Sequence, residues 1–274
     1  MKRIVLSLLL AGLALPAAAI DLNKIFSIGK KVVDSVRDIG PAEEMEMGAG
    51  MAASLLGASP LLPNPELQRY VNRVGGWLAL QTERQDIAWH FGILDDSQIN
   101  AYTTPGGYVL ITRGLFERLR NESELAGVLA HEIAHVVQRH HLKAIQGGNL
   151  RGALGDAIQT RAEARGSAGT YNALKAFSGL NELYTRGLDK GDEFEADRMG
   201  VVIAARAGYN PYGLVAVLQT LDTVSPEDTS FALMFKTHPT PSSRLDSLDA
   251  AMGERLEPYA ESGLEPSRML RPRR

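Results

Sequence analysis

The stretch that decides the fold is LAGVLAHEIAHVVQRHH, residues 125–141. Its apolar residues recur at helical spacing, yet His131, Glu132 and His135 lie among them. Burying imidazoles and a carboxylate in an apolar stripe costs several kcal/mol unless something compensates them. The sequence therefore predicts a buried helix whose polar side chains share one partner.

The spacing of these polar residues indicates a metal ion. A helix advances about 100° per residue, so His131 and His135 lie about 40° apart and one turn from each other. Both imidazoles can then reach one point beside the helix, with Glu132 off to one side. This is the HExxH pattern, in which two histidines bind zinc and the glutamate is the general base for water. We therefore predict a zinc peptidase with Glu132 as a catalytic residue.

A catalytic zinc site takes three protein ligands and keeps one position open, so a third ligand has to come from elsewhere in the chain. The stretch EFEAD at 193–197 offers Glu193 and Asp197, which share a helix face. Glu193 can bind the metal while Asp197 holds a ligating imidazole, and Glu195 is expected to be solvated. An acidic helix start alone usually complements the helix dipole, and the HExxH pattern is what favours the metal.

His141 is the competing third ligand, because it follows His135 at the spacing of zinc peptidases with an HExxHxxGxxH pattern. That pattern needs a glycine where the helix breaks, and this chain has Gln138. A helix that continues turns His141 about 240° away from His135. We therefore expect His140 and His141 to be cations near the helix end. The competing hypothesis predicts that Glu193→Ala retains zinc and that His141→Ala loses it.

The remaining patterns predict several helices and a small sheet. Helical periodicity and capping residues mark 21–40, 41–57, 65–81, a helix capped by Asn121 that carries the opening stretch, 192–208 and 210–221. Alternation in DIAWHFGIL, 86–94, predicts a strand, in which His90 is structural. A Pro-Gly-Gly turn separates a short extended piece from a second strand at 108–112. Residues 147–170, rich in Gly, Ala and Arg, are interpreted as a mobile connection or lid.

The composition is that of an ordinary globular protein, with 45% hydrophobic and 22% charged residues in a chain of 274. The net charge of −3 argues against a nucleic-acid binder. The chain has no cysteine, which excludes disulfides and a thiolate nucleophile. The basic end SRMLRPRR, 267–274, is expected to be a solvated tail, with peripheral binding to an anionic membrane surface as the alternative.

The first residues have the order of a secretory signal peptide. Lys2 and Arg3 precede an apolar run, and the small residues Ala17 and Ala19 follow it. The alternative is a retained membrane anchor, for which the apolar run is at the short limit. We therefore predict a signal peptide at 1–19, a metallopeptidase domain at 20–255, a tail at 256–274 and export to the periplasm.

With these motifs the sequence resembles a family of zinc metallopeptidases that includes the CAAX-type membrane proteases and HtpX. Within that family it is most similar to the soluble periplasmic BepA-like branch. The pieces that carry the resemblance are HEIAH at 131–135, EFEAD at 193–197, NAYTTPGGYVLITRGL at 100–115, HPTPSSRL at 238–245 and PLLPNPELQRYVNRVG at 60–75. We expect the chain to lack both the helical repeat domain of that branch and the membrane helices of HtpX.

The resemblance implies a zincin-like peptidase domain of the α+β class, mainly helical, with a small antiparallel sheet beside the HExxH helix. It also implies one zinc ion (Zn2+) per chain, bound by His131, His135 and Glu193. Glu132 is then the catalytic base, and Asp197 holds a ligating imidazole without binding the metal itself.

The segment HPTPSSRL supplies two further candidate catalytic residues. The family pattern favours a loop beside the metal, where His238 fills the open zinc position or contacts the substrate oxyanion. In the first case His238 holds the enzyme latent until the loop moves. Arg244 is a candidate for holding that loop or a substrate carbonyl. The alternative is a surface loop histidine stiffened by Pro239.

These observations predict hydrolysis of peptide bonds in unfolded or misassembled polypeptides. The substrate is expected to add a strand beside 108–112, through the substrate-strand residues Asn100, Ala101, Tyr108 and Val109. The resemblance alone implies that the targets are envelope or outer-membrane proteins. The alternative is a chaperone-like protein that binds extended polypeptides without cutting, although such a binder needs no general base.

Overall fold

The computed structural model describes residues 39–147, 187–224, 228–231, 234 and 237–261. The helices within these ranges are α1 Pro41–Ala58, α2 Pro65–Ala79, α3 Arg113–Phe116, α4 Glu122–Val137, α5 His140–Gly147, α6 Lys190–Arg206, α7 Tyr212–Asp222 and α8 Pro241–Met252. The strands are β1 His90–Leu94, β2 Ala101–Thr104 and β3 Tyr108–Thr112, and 3-10 turns cover Thr229–Phe231 and Gly253–Tyr259. The α+β, mainly helical class is confirmed. The predicted signal peptide, the helix before residue 39 and the connection from residue 148 lie outside the described residues.

The described helices begin where the sequence supplies caps. Asn121 Oδ1 accepts the backbone N–H of Glu124 at 2.9 Å, which starts α4 at the predicted place. Asn64 caps α2 and Asp189 caps α6 in the same way. None of the described helices is long and apolar enough to cross a bilayer.

The sheet has the order β1-β3-β2, with β3 in the middle. The Pro-Gly-Gly turn makes β2 and β3 antiparallel, as predicted. The prediction of a small antiparallel sheet holds for this pair alone, because β1 pairs with β3 in parallel and the sheet is mixed. The chain crosses from β1 to the far side of the sheet, forms β2, and only then turns back to enter β3 between them.

The outer edge of β1 is covered by side chains of α2. Gln68 and Asn72 lie four residues apart on one helix face. Gln68 Oε1 accepts the N–H of Ile93 at 2.9 Å, and its Nε2 donates to the Ile93 carbonyl at 2.8 Å. Asn72 Oδ1 accepts the N–H of Phe91 at 3.1 Å. In the described part of the sheet, the edge whose backbone groups remain available for pairing is therefore that of β2.

Helix α4 is the centre of the core, and every residue from Ser123 to Val136 is buried. Glycines let the neighbouring helices approach its backbone. A Cβ added at Gly127 would lie 2.6 Å from the backbone nitrogen of Leu214 on α7. A Cβ added at Gly200 of α6 would lie 3.0 Å from the backbone nitrogen of His131. This close packing brings the acidic start of α6 alongside the histidines of α4.

Helix α4 ends at Val137 instead of continuing through the second histidine pair. Arg139 has a φ of 57°, a left-handed conformation that costs an ordinary residue about 1–2 kcal/mol. Its guanidinium binds the buried Glu44 Oε2 at 2.8 Å and the Ile39 carbonyl at 2.8 Å, which offsets that cost. The turn folds the chain back and buries His140 and His141. The expectation of two cations at the helix end is therefore wrong.

Candidate metal centre

The three predicted ligands meet in the buried gap between α4 and α6. His131 Nε2 lies 3.1 Å from His135 Nε2. Glu193 Oε2 lies 3.7 Å from His131 Nε2, and Glu193 Oε1 lies 3.6 Å from His135 Nε2. The structure thus brings Glu193 next to two histidines that lie far from it in the sequence.

These side chains fit a metal ion better than they fit one another. All three are buried, and Glu193 Oε1 has no hydrogen-bond partner among the described residues. A buried acceptor without a partner costs about 1–3 kcal/mol. Two imidazole nitrogens and a carboxylate are a donor set that zinc takes in peptidases, and ligand atoms held about 2.1 Å from one ion lie roughly 3–3.5 Å apart. The separations observed are close to that range.

His131 is oriented by a buried ion pair. Its Nδ1 lies 2.9 Å from Asp197 Oδ1, so the Nδ1 proton points at the carboxylate and Nε2 presents its lone pair to the centre. Arg244 Nε donates to Asp197 Oδ2 at 2.8 Å, and its Nη2 donates to Oδ1 at 2.5 Å. Burial raises the pKa of Asp197, but the charge and hydrogen bonds of Arg244 outweigh burial and hold that pKa well below its ordinary value.

This pairing places Arg244 behind His131. Its Nε and Nη2 donate to Asp197, and Arg244 also lines the cleft with Glu132 and His238, so its contact with a substrate carbonyl stays a prediction. Asp197 lies within hydrogen-bonding distance of His131 Nδ1, and its support of a metal ligand stays a prediction.

The second imidazole, His135, is neutral in this setting. Burial and the neighbouring His131 hold the pKa of His135 well below its ordinary value, which leaves Nε2 available as a ligand. His135 Nδ1 lies 2.9 Å from Nδ1 of His140. Sequence reasoning missed this contact because it depends on the turn at Arg139.

His141 lies near the metal centre but is not part of the group of candidate ligand atoms. Its ring centroid is 5.8 Å from that of His135, and burial lowers the pKa of His141 to about 4. At this centre, the ligand atoms that lie within 4.8 Å of one another come from His131, Glu193 and His238. His135 approaches that group through the other carboxylate oxygen of Glu193. This geometry favours Glu193 over His141 as the third ligand.

Glu132 lies in the cleft beside the histidines, and β2 holds it. The hydroxyl of Thr103 donates to Glu132 Oε2 at 2.5 Å. Both side chains are buried. Sequence reasoning missed Thr103, because the pattern that predicts a strand does not say which of its side chains faces the HExxH helix.

His238 lies at the same cleft and not on an open surface loop. Its Nδ1 is 2.7 Å from Glu193 Oε2, and its ring centroid is 6.4 Å from that of His131. Burial lowers the pKa of His238, but the carboxylate of Glu193 outweighs burial and raises it. For the carboxylate of Glu193, burial acts in the opposite direction and raises the pKa. His238 and the two metal-site histidines outweigh burial and hold the pKa of Glu193 well below its ordinary value.

The predicted substrate strand is only partly at the cleft. Asn100 and Ala101 line it together with Glu132. Tyr108 and Val109 cannot receive a substrate strand, because β3 is paired along both edges. Since Thr112 N–H donates to the Asn100 carbonyl at 3.0 Å, alternation along β2 directs the backbone groups of Ala101 and Thr103 away from β3. In the described part of the sheet, the edge that remains for an added strand is therefore the outer edge of β2.

Comparisons with known proteins match this chain to peptidases. The family model described as Peptidase family M48 matches residues 62–252. The chain is 34% identical over 228 residues to the β-barrel assembly-enhancing protease of Yersinia pestis, covering 80% of this chain and 46% of the relative. It is 31% identical over 250 residues to the protein of that name from Escherichia coli K12, covering 83% of this chain and 49% of the relative. It is 25% identical over 185 residues to the mitochondrial metalloendopeptidase OMA1 of Schizosaccharomyces pombe, covering 68% and 53%. The chain spans about half the length of these curated relatives.

Proposed function

Because the chain belongs to peptidase family M48, we propose that its cleft hydrolyses peptide bonds within unfolded or misassembled polypeptides. The family confirms the resemblance found in HEIAH and EFEAD, and the name of one relative, a metalloendopeptidase, supports the predicted class of enzyme. The observation that carries the proposal is the convergence of His131, His135 and Glu193 beside Glu132.

In this proposal, His131, His135 and Glu193 hold one zinc ion. Zinc supplies a Lewis acid that polarises the scissile carbonyl and acidifies water. The residues of the chain move the proton. The Thr103 hydroxyl occupies Glu132 Oε2, which leaves Oε1 to take a proton from the attacking water and to deliver it to the leaving amine.

The outer edge of β2 is the proposed binding strip for the substrate. An extended peptide can pair there with the backbone groups of Ala101 and Thr103. Asn100 Oδ1 is buried, faces the cleft and has no hydrogen-bond partner among the described residues, so it can accept a substrate N–H. Pairing of this kind reads the backbone more than the side chains, which suits polypeptides that have lost their fold.

Metal removal tests the proposal directly. We expect dialysis against a chelator to abolish cleavage of unfolded casein and to lower the melting temperature, and zinc to restore both. A ligand present at about 1,000 times its Kd stabilises a protein by about 4 kcal/mol. His131→Ala is the control, since it should already be inactive and should melt at the same temperature with or without chelator. Cleavage that survives complete metal removal would contradict the proposal.

We also retain the latch hypothesis for His238. Its hydrogen bond occupies one oxygen of Glu193 and places the ring against the centre. We expect His238→Ala to raise basal casein cleavage by roughly fivefold to tenfold, since a hydrogen bond of this kind contributes about 1–1.5 kcal/mol. His90→Ala, which removes an exposed histidine of β1, is the control and should leave the rate unchanged. Unchanged or slower cleavage by His238→Ala counts against the latch.

The proposed location is the periplasm, and the proposed targets are envelope proteins, including outer-membrane proteins. The support is the signal-peptide pattern of residues 1–19 and the name of the relatives, which refers to β-barrel assembly. If the protein is exported, we expect the periplasmic fraction to contain a mature chain that begins at Ile20. A chain that keeps residue 1 and stays in the cytoplasm contradicts it.

A further inference from the structure

Three side chains beside the metal centre point at one another without a role in the proposed reaction. They are His140, at the start of α5, and Asp192 and Glu195, in the first turns of α6. His140 Nε2 lies 3.5 Å from Asp192 Oδ1 and 3.5 Å from Glu195 Oε2. The three ligand atoms lie within 4.8 Å of one another. We propose that these residues form a second cation site, which binds a transition-metal ion of the zinc type.

The separations fit coordination better than hydrogen bonding. An N–H···O hydrogen bond spans about 2.7–3.2 Å, whereas two ligands held by one tetrahedral zinc ion lie about 3.3–3.5 Å apart. His140 is 0% exposed, and its Nε2 has no hydrogen-bond partner among the described residues. The dipole of α6 explains acidic residues at its start, but it does not explain a buried imidazole nitrogen directed at them.

The site opens to solvent through its carboxylates. The side chains of Asp192 and Glu195 are 24% and 43% exposed, so an ion can enter from water and keep water molecules in its remaining positions. Lys143, exposed on α5, opposes the cation with one positive charge against two carboxylates. The imidazole selects zinc, copper or nickel over calcium and magnesium, which prefer oxygen ligands alone.

His140 also connects this site to the first one. Its Nδ1 lies 2.9 Å from Nδ1 of His135, and one of these two nitrogens has to donate the proton between them. When His135 binds a metal through Nε2, its own proton lies on Nδ1 and is donated to His140. His140 then carries its proton on Nε2, so a second ion can bind there only after this proton has moved, by way of water, to Nδ1 of His140, which costs the hydrogen bond from His135. We therefore expect the second ion to bind more weakly than the first.

Zinc uptake by the metal-depleted full chain tests this inference. Equilibrium dialysis over a range of free Zn2+, with bound zinc measured by atomic absorption, should show a second equivalent after the first. The double variant Asp192→Asn/Glu195→Gln should lose the second equivalent and keep the first. The matched control Asp249→Asn/Glu254→Gln also removes two exposed acidic groups, outside this cluster, and should keep both equivalents. Calcium should add no equivalent at this site.

Saturation of the wild type at one equivalent would overturn the second site, as would a second equivalent that survives in the double variant. The carboxylates would then serve His140 as hydrogen-bond acceptors only. Calcium bound in place of zinc would overturn the assigned ion class. This test is independent of the proposed function. If the first site did not bind zinc, His131→Ala would take up as much zinc as the wild type.

Discussion

Glu132→Gln is expected to lower kcat for casein cleavage by about 10²–10⁴-fold, which is the usual contribution of a general acid–base residue. Glutamine keeps the size of the side chain and can still accept the hydrogen bond from Thr103. It cannot take a proton from water at neutral pH, so the proposed proton transfer stops. Zinc content should stay unchanged, because Glu132 is not among the proposed ligands. Initial rates of casein hydrolysis, with zinc measured on the same samples, check both parts.

The matched control is Glu66→Gln, which changes an exposed glutamate in the first turn of α2 and should leave kcat unchanged. Equal cleavage by Glu132→Gln and the wild type would remove Glu132 from the mechanism. Equal suppression of casein aggregation by the two forms, with no cleavage by either, would favour the chaperone-like binder instead.

Asp197→Ala should cause the largest loss of stability, about 3–5 kcal/mol in the free energy of unfolding. The guanidinium of Arg244 is buried, and without Asp197 it loses its two charge-assisted hydrogen bonds. His131 loses the acceptor of its Nδ1 proton at the same time, for which we expect a 10- to 100-fold loss of zinc affinity, the order seen when such a partner is removed. Denaturant unfolding of the metal-free protein and zinc titration measure the two effects separately.

Two further variants make this prediction specific. Asp95→Ala breaks an exposed pair with Arg113, and we expect a cost below about 1 kcal/mol because water screens such pairs. Asp197→Ala/Arg244→Met removes both buried charges and should be more stable than Asp197→Ala alone. A cost under about 1 kcal/mol for Asp197→Ala would mean that its carboxylate does not sustain the buried guanidinium.

The pH dependence of this pair has a definite sign. The pKa of Asp197 is depressed in the folded protein, where Arg244 outweighs burial. Its stabilisation is therefore complete above the unfolded-state pKa of about 3.9 and is lost as the pH falls from there through the folded-state pKa. In the metal-free protein, the stability difference between wild type and Asp197→Ala should narrow only in strong acid.

The sequence predicts most of this site where the chemistry lies on one helix. His131, Glu132 and His135 are near neighbours, so helix geometry alone brings the two imidazoles to one point. Glu193 is a candidate because of its residue type and because the stretch EFEAD resembles a family pattern. Its distance from the histidines depends on how closely α6 packs, and Gly200 permits that packing.

What sequence reasoning missed depends on long-range contacts. The left-handed turn at Arg139 carries no glycine to mark it, and Glu44 of α1 is the residue that stabilises it. That turn decides whether His140 and His141 are solvated or buried. The strand order was missed for a related reason, because alternation of apolar residues predicts that strands exist but not which of them lies in the middle.

The amide side chains of Gln68 and Asn72 occupy hydrogen-bonding positions that another polypeptide would otherwise use. An exposed sheet edge recruits extended chains with little selectivity, including other copies of the same protein. In the described part of this sheet the remaining edge runs beside Glu132. Among the described residues, the amides of Gln68 and Asn72 therefore cover the edge of β1, and the edge left for an extended polypeptide is the one beside Glu132, the proposed general base.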